Sequence, residues 1–242
     1  MDVVALGELL IDFTENGISG QGNPLFEANP GADMMLTEEE IPEELILETR
    51  IFHFGTLSMT HENVRRATKK AVAIAKQAGA IISFDPNIRE PLWNSMDEAR
   101  EQVLYGLGQC HILKISDNEI QWLTGKNDYT EAVKWIREKY DIPLILVSMG
   151  KEGSRAYYQD RMVEKAPFIN ENTIETTGAG DTFCACVLHY ICKHGLENLT
   201  EKNLKEMLTY ANAAASIITT RKGALRVMPR PEEIEALIAG HH

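Results

Sequence analysis

Cysteine is scarce in this chain: four residues in 242, at positions 110, 184, 186 and 192. Three of them fall inside one apolar helical run without paired spacing, which argues against a disulfide framework and a cysteine-rich zinc site. They read as small core hydrophobes. Basic charge is also short, with 24 Lys and Arg against 36 Asp and Glu, a net charge of -12 and a pI near 5.1. A broad grip on nucleic acid or on an anionic bilayer needs clustered cations, so neither is an expected partner and a small molecule is. Long apolar runs are missing too, and none approaches the roughly 18 to 20 residues that span a bilayer. The opening MDVVALGELL has no basic flank and no small-residue cleavage site, so the expected location is cytoplasmic.

The hydrophobic content is 44% over 242 residues, enough for one substantial core. Short apolar segments recur at 3–7, 51–55, 80–85, 111–116 and 143–150, each continuous as expected of strands buried on both faces. Helical patterns separate them. In ENVRRATKKAVAIAKQAG, Val64, Ala67, Ala71, Ile74 and Ala75 share a face that ends at a capping glycine. Further helices are expected after 97, after 129, at about 181–194 and 203–220, and near Pro229 to Pro231. Residues 155–166 alternate around Gln159 and Asp160 and predict a hairpin at a sheet edge. The order of elements argues for an α/β fold, a three-layer αβα sandwich with a mostly parallel sheet. The expected domain is single, covering 1–240, with His241 and His242 set aside as the remnant of a tag. Residues 14–50 stand out as an irregular stretch rich in turn formers and acids.

The most informative local feature is TTGAGDTF at 176–183. Gly178, Ala179 and Gly180 leave backbone amides open to close approach, and Asp181 follows where Phe183, Val187, Leu188 and Ile191 set a helical period. Amides at a helix N-terminus make an anion site. The same residues would serve as a tight turn with Asp181 as its cap. The stretch is neither a Walker loop nor a dinucleotide fingerprint, since it lacks the Lys and Ser/Thr of the first and the early position of the second. An aspartate beside a phosphate cradle could take the proton of an attacking hydroxyl, which is the chemistry of an alcohol kinase.

TTGAGDTF closely resembles the second signature of the ribokinase-like (pfkB) sugar kinases. IITTRKGALRVMP, VVALGELLIDFT, FHFGTLSM, FDPNIREPLW, LKISDNEIQWLTG and VSMGKEGS resemble further family segments in the family's order, with the fructokinase branch fitting best. The resemblance implies a Rossmann-like ribokinase fold and ATP-dependent phosphorylation of a primary hydroxyl on a small sugar, fructose foremost, with ribose and 2-keto-3-deoxygluconate as other acceptors. It implies Asp181 as catalytic base and Gly178, Ala179 and Gly180 as the anion hole. Glu119 would organise Mg2+ through water, and Ser116 stands where ribokinases carry Asn. Gly150, Gly153 and Asn212 would line the nucleotide pocket, with Lys222 and Gly223 in the loop over it. Glu175 and Thr177 would belong to a K+ site, although Glu175 stands where the family usually has Asp. On the sugar side it implies Asp12, Gly31 and Arg89. For several of these a plainer role is equally legible: a solvated acid for Glu119, a strand-end turn for Gly150, a polar helix residue for Asn212, and an ion pair with Asp85 for Arg89.

The family's first signature and most of its β-lid are not in the chain. LFEANPG passes straight into ADMMLTEEEI, as though the residues between two NPG copies were removed near 31–32. That implies an open site, puts a lid-mediated homodimer in question, and keeps a second reading in play, a nucleotide-binding remnant that does not phosphorylate sugar.

Overall fold

A computed structural model describes residues 1–6, 13–18, 24–28, 32–223 and 227–240. The chain divides into two compact units, Met1–Gln109 and Cys110–His242.

In the first unit, β1 (Val3–Leu6) pairs in parallel with β4 (Ile51–Gly55), and β4 pairs in parallel with β5 (Ile81–Asp85). Between β1 and β4 lie β2 (Phe13–Ile18) and β3 (Pro24–Ala28), an antiparallel pair with a register shift between Glu15 and Ile18, and then the short helix α1 (Glu43–Leu47). This hairpin corrects the expectation of an irregular 14–50. Its sequence carries no alternating apolar pattern, so the pairing was not legible from periodicity. Helix α2 (Glu62–Gln77) buries Val64, Ala67, Thr68, Ala71, Val72 and Ala75, the face read from the sequence with its small residues facing inward. Helix α3 (Met96–Leu107) starts at Ser95, whose side chain accepts from the Glu98 amide. Phe54 and Phe84 face each other in register across β4 and β5, their ring centroids 4.8 Å apart.

In the second unit, β6 (Ile112–Ser116) runs parallel to β7 (Leu144–Ser148), with Ser116 opposite Ser148. Two helices join them, α4 (Asp117–Thr124) and α5 (Tyr129–Arg137). The chain then turns back as the antiparallel β8 (Ser154–Tyr158) and β9 (Arg161–Lys165), the hairpin expected around Gln159 and Asp160. Gln159 sits there at φ 50, the left-handed conformation that a two-residue hairpin loop demands. Helices α6 (Ala179–His194), α7 (Glu201–Ile218) and α8 (Pro231–Ala239) complete the unit. Ala213, Ala214 and Ile234 form a buried cluster against Phe168, Tyr210, Ile217 and Leu237, so alanines on α7 let α8 approach closely. Among the described residues no helix is long and apolar enough to cross a membrane.

Candidate active site

The glycine loop becomes a helix end through one backbone choice. Gly178 takes φ 76 and ψ -3, a left-handed conformation at little cost only to glycine, and this turns the chain into α6. The Ala179 amide is spent on the Thr176 carbonyl at 3.2 Å, and the first helical bond is from the Thr182 amide to the Gly178 carbonyl at 2.9 Å. The amides of Gly180 and Asp181 therefore precede the helical ladder and face out of the positive end of α6. Asp181 is exposed at that mouth, whereas Thr182 beside it is 3% exposed and its Oγ1 finds no hydrogen-bond partner among the described residues. An orphaned buried hydroxyl at a helix N-terminus fits a site that expects a polar ligand.

The carboxyl ends of β6 and β7 carry further candidate residues, since open α/β sheets place ligands beyond the carboxyl ends of their strands. Ser116 caps α4. Its amide and its Oγ both donate to Glu119 Oε2, at 2.9 and 2.7 Å, and the Glu119 amide returns a longer bond to Ser116 Oγ at 3.4 Å. The serine and the acid named from the sequence are thus one hydrogen-bonded pair.

One residue of this neighbourhood was missed in the sequence. Lys114, on β6, is 6% exposed, and a Cβ built on Gly180 would lie 3.1 Å from its Nζ. The available signal was a single charge inside the otherwise apolar strand ILKIS.

Gly150 and Gly153 form the turn after β7 at φ 52 and φ 97, and they differ in kind. A Cβ at Gly153 would stand 2.1 Å from the Lys165 carbonyl oxygen, whereas one at Gly150 would meet nothing within 4 Å. Backbone packing therefore accounts for Gly153, and Gly150 faces open space. Asn212 is buried and committed to the protein. Its Oδ1 accepts from Ser154 Oγ at 2.8 Å, and its Nδ2 donates to the carbonyls of Lys165 and Ala166 at 3.2 and 3.1 Å. Lys222 is exposed, and the neighbouring Gly223 amide donates to Glu175 Oε1 at 3.0 Å. Thr177 is exposed on the same approach to α6. Among the described residues no three His, Cys, Asp or Glu side chains gather into a metal-binding group.

Arg89 belongs to the first unit, exposed, with Nη1 donating to the Ile88 carbonyl at 3.2 Å. Asp12 and Gly31, and the terminal His241 and His242, lie outside the described residues.

A family profile described as pfkB family carbohydrate kinase matches residues 17–231. The chain belongs to the pfkB family of carbohydrate kinases. Its curated pfkB relatives include Fructokinase-1 of Zea mays, 39% identical over 219 residues that cover 90% of this chain and 68% of the relative. The chain thus spans about two thirds of that relative's length. Among solved structures it is similar to the fructokinase from Vibrio cholerae O395 in its fructose, ADP and calcium ion bound form, with a TM-score of 0.78 and 26% identity over 90% of this chain and 70% of that one. A double mutant of the same enzyme in a fructose, ADP and potassium ion bound form gives the same TM-score and identity over 90% and 69%. The fructokinase from Xylella fastidiosa with bound ATP matches in fold at a TM-score of 0.82, with 24% identity over 93% of this chain and 72% of that one. The fold expected from the sequence, a mostly parallel sheet flanked by helices, is the ribokinase-like one of the pfkB kinases.

Proposed function

We propose that this pfkB chain is an ATP-dependent sugar kinase that phosphorylates a primary hydroxyl, with fructose as its acceptor. The observation that carries the reading is the mouth of α6, where outward amides at the positive helix end stand beside the exposed carboxylate of Asp181. The outward amides of Gly180 and Asp181 offer fixed donors to the charge that develops on the transferring phosphoryl group. Asp181 takes the proton from the sugar hydroxyl as its oxygen bonds to the terminal phosphorus. The bond from that phosphorus to the bridging oxygen breaks, and ADP carries away the electron pair.

The residues present also fit the ions of such a reaction. Magnesium usually keeps its waters and leans on one or two carboxylates together with phosphates. Glu119 would hold it through water, where the ion would neutralise phosphate charge. A monovalent cation would lie by Glu175 and Thr177. Gly150, Gly153, Asn212, Lys222 and Gly223 would frame the nucleotide, and Asp12, Gly31 and Arg89 would bind sugar. In this reading Asn212 contributes shape, because both of its amide hydrogens are already bonded.

A second reading is favoured by length. A chain that spans 68% of its maize relative could keep the nucleotide half of the activity and lack sugar capture. A coupled assay that follows ADP release separates the two, run with fructose, ribose and 2-keto-3-deoxygluconate in turn. Sugar-dependent ADP release, greatest with fructose, supports the kinase; ATP binding without any sugar dependence supports the remnant. Asp181→Asn should abolish transfer while ATP affinity stays within a few fold, and near-wild-type turnover in that variant would remove Asp181 as the base.

A further inference from the structure

Helix α7 ends with donors turned back on its own last carbonyls. Thr219 Oγ1 donates to the Ser216 carbonyl at 2.7 Å, Thr220 Oγ1 to that of Ile217 at 2.8 Å, and the Arg221 amide to that of Ile218 at 3.0 Å. The helix end is closed off, and Arg221 leaves it with a fixed backbone. Its side chain then reaches two further segments with one guanidinium. Nη1 donates to the Val227 carbonyl at 3.0 Å, and Nη2 bonds the Glu233 carboxylate directly.

Glu233 is a fixed acceptor. Its Oε2 takes the Arg230 amide at 2.7 Å at the start of α8, and the next residue, Ile234, is buried with Ala213 and Ala214 of α7. The Arg230 amide, and after it the Arg221 side chain, hold the Glu233 carboxyl below its ordinary value, so the bond to Arg221 joins two full charges at neutral pH. Arginine suits the place because its planar fork can serve a carbonyl and a carboxylate at once.

The side chains of the pair are 30% and 41% exposed, and ion pairs this open contribute little to global stability. What they fix is local. Lys222 and Gly223, assigned above to the frame of the nucleotide, follow Arg221 directly, and the bond to Val227 holds the chain on their far side. From another direction Glu175 Oε1 holds the Gly223 amide at 3.0 Å. A turn already in shape before its ligand arrives binds it more tightly, because no ordering is left to do.

We propose that Arg221 is a positioning residue for nucleotide binding, which through Val227 and Glu233 holds the turn of Lys222 and Gly223 in its binding shape and ties that turn to α8. The assignment rests on the kinase reading above. Arg221 acts through the turn and through Glu233, so the two members of the pair work as one clamp.

Equilibrium binding of ATP and of ADP to the full chain tests it, with the wild type, Arg221→Met, Glu233→Ala and the double variant, alongside steady-state kinetics with fructose. Arg221→Met should lose about fivefold to tenfold in affinity for both nucleotides. Its KM for ATP should rise accordingly, while kcat and the KM for fructose stay within about twofold of the wild type. Glu233→Ala should show the same loss, and the double variant no more than either single change, because each breaks the same clamp. A pair that served stability alone would lower the melting temperature and leave both affinities unchanged, and that result overturns the proposal. Intact affinity in Glu233→Ala beside a loss in Arg221→Met, or losses that multiply in the double variant, would make Arg221 a direct ligand of the nucleotide and overturn it too. Should Arg221→Met fail to fold, Glu233→Ala decides by the loss or the retention of affinity. A wild type that binds neither nucleotide removes the kinase reading itself.

Discussion

The carboxylate of Glu175 holds the backbone of Gly223, its Oε1 accepting that amide at 3.0 Å across 48 residues of sequence. The same two segments meet again where the amides of Ile174 and Glu175 donate to the Thr219 carbonyl at 2.8 and 3.2 Å. Gly223 itself sits at φ 110, open to glycine and strained for other residues. The approach to α6 and the turn after α7 are therefore tied into one piece. The glutamate also gives a physical sense to the departure from Asp seen in the sequence, since its extra methylene lengthens the reach of this tie.

Removing that carboxylate should loosen the turn and leave the rest in place. A hydrogen bond at the surface contributes about 1 kcal/mol, so Glu175→Ala should lower the melting temperature by only a few degrees. Trypsin should then cut after Arg221 or Lys222 faster than in the wild type, and Glu175→Gln, which still offers an acceptor oxygen, should protect the turn. An unchanged digestion pattern in Glu175→Ala would mean that the Thr219 contacts alone hold the segment.

Asn212 makes the opposite forecast, a large effect on stability and a small one on nucleotide. Its side chain links α7 to Ser154 at the start of β8 and to the carbonyls of Lys165, the last residue of β9, and Ala166 after it. Asn212→Ala would leave the buried Ser154 hydroxyl and those carbonyls short of partners, at about 1 to 3 kcal/mol. Urea denaturation should show the lower midpoint, while the KM for ATP stays within about threefold once the protein is folded. A variant of normal stability with greatly raised KM would restore Asn212 as a direct nucleotide contact.

These two residues mark where sequence reading succeeded and where it stopped. Strands, helices and the β8–β9 hairpin were legible because buried parallel strands are continuous apolar runs and the helices have regular apolar faces. The helix start at the glycine loop was legible because its glycines and the apolar period that follows them are local features. The approach of Lys114 to Gly180 was not, since the two are 66 positions apart and brought near only by the fold. Glu175 and Gly223 are likewise joined by tertiary structure alone. Gly153 also has a packing reason to be glycine that local sequence could not show, because the Lys165 carbonyl fills the space where a side chain would be. The β2–β3 hairpin went unread because its strands lack alternation.

Gly106 and Phe84 are a matched pair in the first unit. A Cβ on Gly106 would lie 2.3 Å from the Phe84 ring, so the aromatic side chain packs directly on the backbone of α3. Gly106→Ala gains helix propensity of about 1 kcal/mol and should still destabilise, because overpacking a closed core costs about 1 to 3 kcal/mol and the ring also packs on Phe54. Phe84→Leu made in the Gly106→Ala background should recover part of the loss, giving a favourable coupling in a double-mutant cycle. Strict additivity of the two changes would show that the ring can swing aside.

Arg65 and Glu98 give the fold a pH dependence with a definite sign. The Arg65 guanidinium bonds the Glu98 carboxylate directly, and its Nε donates to the Met59 carbonyl at 2.8 Å; the side chains of the pair are 20% and 22% exposed. Asn94 Nδ2 adds a bond to Glu98 Oε2 at 3.0 Å. The Arg65 hydrogen bond, and after it that from Asn94, hold the Glu98 carboxyl below its ordinary value of 4.5. A carboxyl depressed on folding stabilises the protein above its unfolded value and loses that contribution as the pH falls through the folded one. Glu98→Gln should therefore have a lower urea midpoint than the wild type at pH 7. The gap should narrow as the pH is taken from about 4.5 toward 3, because the wild-type carboxyl is then neutral too. Urea midpoints for both proteins across that range measure it. A gap that stays constant down to pH 3 would assign the loss to packing and hydrogen-bond geometry, with the charge of Glu98 contributing nothing.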